Sequence, residues 1–158
     1  MNEANTVIRV EPTTQMVLLT RTFEAPRELV FKAYTDPQLI PKWWGPGRLS
    51  TTVAAMDVRP GGIWRFVQQD GQGGEYAFHG VYHEVVPPER LVATFEYEGA
   101  PGHIVLETTT FDVVAGRTRL TTRSVFRSVA DRDQMVAAGM EQRAGESMER
   151  LAELLAAG

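Results

Sequence analysis

His79 and His83 stand four residues apart, and imidazoles at close spacing are common zinc ligands. The residues around them read as strand, where four residues span roughly 13 Å, so the two rings are too far apart to share one ion easily. His103 is the only other histidine. The expectation is a solvated strand face and no metal. Glu96, Glu98 and Glu107 flank a loop at Gly99 to Gly102. Two carboxylates brought together across such a hairpin would have the pairing that glycoside hydrolysis uses. A polar hairpin is the simpler account. Asp57, Arg59 and Glu84 are charged residues set in apolar strand ends, and an arginine fork can bridge two carboxylates. They read as a clasp on the Arg59-Pro60-Gly61-Gly62 turn; catalysis by Glu84 would require it to be isolated in an apolar pocket. Gly71, Gly73 and Gly74 lie between two strands, without the helix N-terminus that makes a phosphate cradle. Ser50, Ser124, Ser128 and Ser147 have no nucleophile-elbow context.

The stronger signal is apolar. Trp43-Trp44-Gly45-Pro46 places two large rings beside a rigid turn, and on most backbones only one of them points inward. Trp44, Trp64, Phe66, Phe78, Tyr82, Phe95 and Phe111 supply rings for one face of a sheet, and Met135 and Met140 supply flexible, polarizable surface opposite them. These nine are the candidate ligand-binding residues. Pockets for small molecules are lined mainly by such groups. No catalytic residue and no cofactor is assigned.

The elements that must position them follow from turn signals and periodicity. Gln15 to Phe23 is strand-like, and Ala25-Pro26 leads into a helix over Arg27 to Tyr34. Asp36-Pro37 ends that helix and starts a second short one running into Trp43 and Trp44. From Leu49 to Arg127 turn residues cut the chain into six strands with no helix between them, which predicts an antiparallel meander. Alternation puts Trp64 and Phe66, then Phe78, Gly80 and Tyr82, then Leu120, Ser124 and Phe126 on a dry face, with Arg65, His79, Arg119 and Arg123 on the wet one. A dry face needs a helix to cover it. Ser128 is an N-cap with Asp131 three residues on, and the chain then reads as a short helix, a break near Gly139 and a long helix to the end.

Composition narrows the function classes. The 158 residues fit one domain, taken as 15–158 behind a tail at 1–14. Sixteen basic and twenty acidic side chains leave a net charge of -4, which offers no general attraction for nucleic acid or anionic membranes. The absence of cysteine removes disulfides, thiolate metal sites and cysteine nucleophiles. No apolar run approaches the roughly 20 residues that span a bilayer, and Met1 to Gln15 lacks the apolar core of a signal peptide, so a cytoplasmic location is expected.

The order of elements resembles the helix-grip arrangement of the START-like, or SRPBCC, superfamily, an α+β fold in which about seven antiparallel strands wrap a long C-terminal helix. Within it the chain resembles the branch named after the C-terminal domain of the heat-shock-protein-90 ATPase activator. The residues that carry the resemblance are Thr22-Phe23, Ala25-Pro26, Leu29-Val30-Phe31, Trp43-Trp44-Gly45-Pro46 and Asp57 to Gly62 leading to Trp64. Gly80-Val81-Tyr82 with Glu84, Pro87 to Leu91, Gly139-Met140-Glu141 and Ser147 to Leu151 complete it. The resemblance implies a ligand-sized cavity between sheet and C-terminal helix. The eukaryotic co-chaperone carries a separate N-terminal domain where this chain has about fourteen residues, so a chaperone partner is not expected.

Three functions follow in order of support. The first is a noncatalytic binder of a small hydrophobic or aromatic molecule. The second is an enzyme in the manner of polyketide cyclases and aromatases, and the third a chaperone-related interaction module. A homodimer formed through a sheet edge or the last helix stays open.

Overall fold

A computed structural model of the chain describes residues 5–158. Its elements are β1 (Val7–Val10), β2 (Met16–Phe23), α1 (Arg27–Thr35), α2 (Ile40–Trp43), β3 (Ser50–Met56), β4 (Ile63–Gln69), β5 (Glu75–Val86), β6 (Arg90–Tyr97), β7 (Val105–Val114), β8 (Arg117–Val125), α3 (Val129–Ala137) and α4 (Met140–Ala156). The strands form one antiparallel sheet in the order β1-β2-β8-β7-β6-β5-β4-β3. This is the α+β helix-grip fold, with eight strands where about seven are expected. The additional one is β1, inside the stretch read as a tail, whose residues 1–4 lie outside the described residues. Four residues pair with Val17 to Thr20 of β2, too few to stand out as a strand in sequence. Buried Arg132 on α3 anchors the β1–β2 turn by donating to the carbonyls of Glu11 and Thr14.

Backbone turns bound α1, α2 and α4, and a side chain caps α3. The Asp36 carbonyl accepts from the Leu39 and Ile40 amides, so a turn follows α1 at once and leads into α2. The Ser128 hydroxyl accepts from the Asp131 amide at 3.0 Å and caps α3. Gly139, at φ 91, separates α3 from α4. The long final helix therefore begins after a sharp change of direction.

Alternation divides the sheet as expected. Arg65 and His79 lie on the outer face, paired with Glu98. The inner face carries Phe23, Trp64, Phe66, Tyr82, Leu91, Phe111 and Leu120, which pack with Val30 and Phe31 of α1, Ile40 and Trp43 of α2, and Met148 and Leu151 of α4 into one buried cluster. A smaller cluster of Val17, Val105 and Phe126 takes in Met135 and Val136 of α3 and Met140 of α4. Burial at roughly 25 cal/mol per Å² of apolar surface is the main force holding helices to sheet. α4 lies against α2, α3 and β2, with an ion pair from buried Arg21 on β2 to Glu149 at 2.8 Å.

Candidate functional site

The concave face is not completely filled. A recess of about 100 Å³ is lined by Tyr34 of α1, Ile40, Trp43 and Trp44 at α2, Trp64 and Phe66 of β4, Tyr82 of β5, Leu91 to Phe95 of β6 except Val92, and Glu107 and Thr109 of β7. Neither α3 nor α4 lines it. The expected cavity is one between sheet and C-terminal helix; this recess lies instead over β4 to β7, beside α1, α2 and the turn after them.

The rings hold one another. Trp44 makes edge-on contacts with Trp64, Phe66 and Phe78 at centroid separations of 6.4, 5.1 and 5.2 Å. Trp64 lies 4.7 Å from Phe66 and 6.0 Å from Phe95. Edge-on pairs set the electron-poor rim of one ring against the electron-rich face of another. The Trp64 indole N–H donates to the Thr94 carbonyl at 3.1 Å, crossing over Gly80, where a Cβ would sit 1.8 Å from that same oxygen. Glycine at 80 is thus what allows the indole to lie flat across β5.

Trp43 and Trp44 divide the two roles that sequence could not allot. Trp43 is buried and donates its N–H to the Ala33 carbonyl at 2.9 Å, fixing α2 to α1. Trp44 turns to the recess. The turn that carries it is held from α4: Ser147 Oγ accepts the Gly45 amide at 2.9 Å, and Arg150 donates to the Gly45 carbonyl at 2.8 Å and to the Trp44 and Pro41 carbonyls at 3.4 Å. Thr51 adds a bond to the Trp44 carbonyl at 3.0 Å. Gly45 has φ +83, a conformation that favours glycine, and a Cβ there would also displace the buried Gln68 amide, whose nitrogen lies 1.7 Å away. The C-terminal helix acts on the recess as a clamp on its aromatic wall.

Of the nine candidate ligand-binding residues, the structure brings Trp44, Trp64, Phe66, Tyr82 and Phe95 together around the recess. Phe78 stands behind them, 5.2 Å from Trp44 and 5.6 Å from Phe95. Phe111 is fully buried beneath α1, 5.3 Å from Phe31 and 5.4 Å from Tyr34, and is a packing residue. Met135 and Met140 belong to the second cluster and do not reach the recess.

Two functional candidates are absent from the nine ligand-binding residues, Glu107 having entered only as one carboxylate of a hairpin pair. Glu107 is on the inner face of β7, in line with Val105, Thr109 and Phe111, and it accepts the Ser124 hydroxyl at 3.0 Å. Burial pushes its carboxyl above the usual carboxylate range, with the Ser124 bond acting in the opposite direction. Tyr34, on α1, lies 4.7 Å from Trp43; burial first and then the Glu107 charge hold its phenol up, so it stays protonated. Burial raises the Tyr82 phenol as well. The alternation Val105, Glu107, Thr109, Phe111 was the available signal for Glu107.

The other candidate chemistry disperses. Glu96 and Glu98 are on the outer face around His79, at 3.4 and 2.9 Å, so Glu107 has no carboxylate partner from that hairpin. Arg59 pairs with Asp57 at 2.7 Å on the surface, while Glu84 pairs with Arg90. The expected clasp therefore lacks Glu84. Asp70 holds the Gly71 to Gly74 loop by accepting the Gln72 and Gly74 amides at 2.7 and 2.9 Å. Among the described residues no three histidine or acidic groups converge to hold a metal ion. Among the described residues no helix is long and apolar enough to cross a membrane.

A helix-grip domain with an aromatic recess under its first two helices is the class these observations define. The sequence profile of activator of Hsp90 ATPase homolog 1-like proteins matches residues 24–156, and the chain belongs to that family. No curated protein gives a significant match. Among solved structures, a protein from Rhodobacter sphaeroides superposes with a TM-score of 0.90 at 25% identity, covering 98% of this chain and 100% of that one. Protein Ms6760 from Mycobacterium smegmatis gives 0.87 at 24% identity over 95% and 96% of the two chains. DynU16, from the dynemicin biosynthetic locus, gives 0.67 at 23% identity over 89% of this chain and 47% of that one. The last two likenesses are of fold.

Proposed function

We propose that the protein binds a small apolar or aromatic molecule in the recess between the sheet and α1–α2. The observation that carries this is the ring of Trp44, Trp64, Phe66, Tyr82 and Phe95 around about 100 Å³ that their side chains do not fill. A well-packed interior leaves few voids larger than a water molecule, and a dry apolar cavity of about 150 Å³ takes up benzene. The recess is about two thirds of that volume, so a ligand smaller than one ring matches the space and a full ring enters only if Trp44 or Phe95 yields. Native mass spectrometry of the purified protein, followed by release and identification of any bound compound, tests the reading together with tryptophan-fluorescence titration by small aromatic probes. A released compound or a saturable fluorescence change supports it; an empty protein that no probe perturbs at millimolar concentration overturns it.

A second reading has one observation in its favour. Glu107 and Tyr34 place a carboxyl and a phenol at the recess, the group types that move protons in general acid–base catalysis. In this reading the pocket folds a substrate as polyketide cyclases do, with Glu107 in the role that sequence considered for Glu84. Turnover of a recovered compound that disappears in Glu107→Gln while binding persists would establish it.

A further inference from the structure

The recess has a charge character as well as a shape. Its lining contains no lysine, arginine or histidine, and its one acidic side chain is Glu107. One carboxylate oxygen, Oε2, accepts the Ser124 hydroxyl, and the residue paired with Glu107 on β6 is Ala93, which has no polar side chain. Tyr34 from α1 is the ionisable neighbour, and it stays neutral. Among the described residues Glu107 has no basic partner.

A carboxylate partly withdrawn from water gains from a charged hydrogen-bond partner, and among the described residues half-buried Glu107 has the Ser124 hydroxyl and no cation. The aromatic walls have the same preference, because ring faces attract an ammonium group over distances of about 6 Å and do nothing for an anion. A carboxylate ligand would meet a carboxylate and no counter-charge. A neutral ligand would gain contact area alone, whereas an amine gains both area and charge.

We propose that the recess selects a small amine carried as its ammonium ion, with the nitrogen on Glu107 and the apolar part against Trp44, Trp64 and Phe95. This rests on the reading that the recess binds a small molecule and specifies its class. Burial raises the Glu107 carboxyl above the ordinary carboxylate range, and an ammonium ion beside it acts against that shift by favouring the carboxylate.

Isothermal titration of the full chain with benzylamine, benzyl alcohol and benzoate tests the inference, using wild type and Glu107→Gln. The expected result is benzylamine bound about tenfold or more tightly than benzyl alcohol, the scale of a charge-assisted hydrogen bond, with benzoate not bound. Glu107→Gln removes the amine preference and leaves benzyl alcohol within about twofold of wild type. On wild type alone, the ranking of benzylamine over benzyl alcohol over benzoate is a readout that does not depend on any variant folding. Benzyl alcohol binding as well as or better than benzylamine, or a preference that survives Glu107→Gln, overturns the amine inference and leaves the binding reading intact. If no probe binds, both fall.

Discussion

Ser124 and Glu107 face each other directly in the β7–β8 register, and the serine hydroxyl donates to the carboxylate at 3.0 Å. That bond favours the ionised form while burial opposes it, and burial prevails. A carboxyl whose folded-state pKa is raised contributes stability that is fully present below its unfolded value and is lost as pH rises through the folded value. Wild type is therefore expected to lose thermal stability as pH rises from the ordinary carboxylate range toward neutrality. Glu107→Gln flattens that limb, and Ser124→Ala moves it to higher pH. Melting temperatures from pH 4 to 8 measure all three; parallel curves for wild type and Glu107→Gln would refute the assignment.

Glu98 works in the opposite sense on the outer face. Hydrogen bonds from Arg65 and then His79 hold its carboxyl down to about 2. Its contribution is present above the ordinary glutamate pKa and is lost as pH falls from there toward 2. Glu98→Gln is expected to blunt acid unfolding in that window and to change nothing near pH 7.5 beyond a uniform offset. Acid titration followed by circular dichroism distinguishes it from the Glu107 limb, which lies at higher pH.

Gly80→Ala is expected to destabilise by about 3 kcal/mol, the upper part of the range for overpacking, because the new methyl meets backbone and not a yielding side chain. Trp64→Phe, which keeps a ring but leaves the Thr94 carbonyl without its indole donor, is expected to cost about 1–3 kcal/mol. Urea midpoints at constant slope check both.

Arg150→Met removes the charged donor that ties α4 to the Trp44–Gly45 turn and is expected to cost about 1.5–3 kcal/mol. Its more telling effect is on Trp44: with the turn released, tryptophan emission shifts to the red while helix content is kept. Arg150→Lys, which retains the charge but not the planar fork, falls between the two. An unchanged emission spectrum would show that Thr51 and Ser147 hold the turn without the arginine.

Sequence disclosed most of the architecture because its punctuation is local. Ser128 and Asp131 announce a cap, Gly139 a break, and the proline and glycine turns the ends of strands. It did not disclose β1, since four residues carry too little periodicity, or where α4 would lean, since that depends on Arg21 and Arg150 finding partners more than a hundred residues away in sequence. The aromatic wall was legible from alternation on β4 and β5. Glu107 was not recognised because a carboxylate on a hairpin reads as solvated until its strand neighbours Val105 and Phe111 show which face it occupies. Met135 and Met140 matched a helical stripe, but the turn at Gly139 swings them to a different cluster.

The two buried clusters have one residue in common, Phe95, which packs against both. Substitutions on the recess wall and substitutions among Met135, Val136 and Met140 are therefore free to accumulate independently, their effects adding, except where each touches Phe95. Remodelling the lining for a new ligand leaves the seating of α3 alone only while Phe95 and the Trp44–Gly45 turn, which Ser147 and Arg150 of α4 hold, are kept.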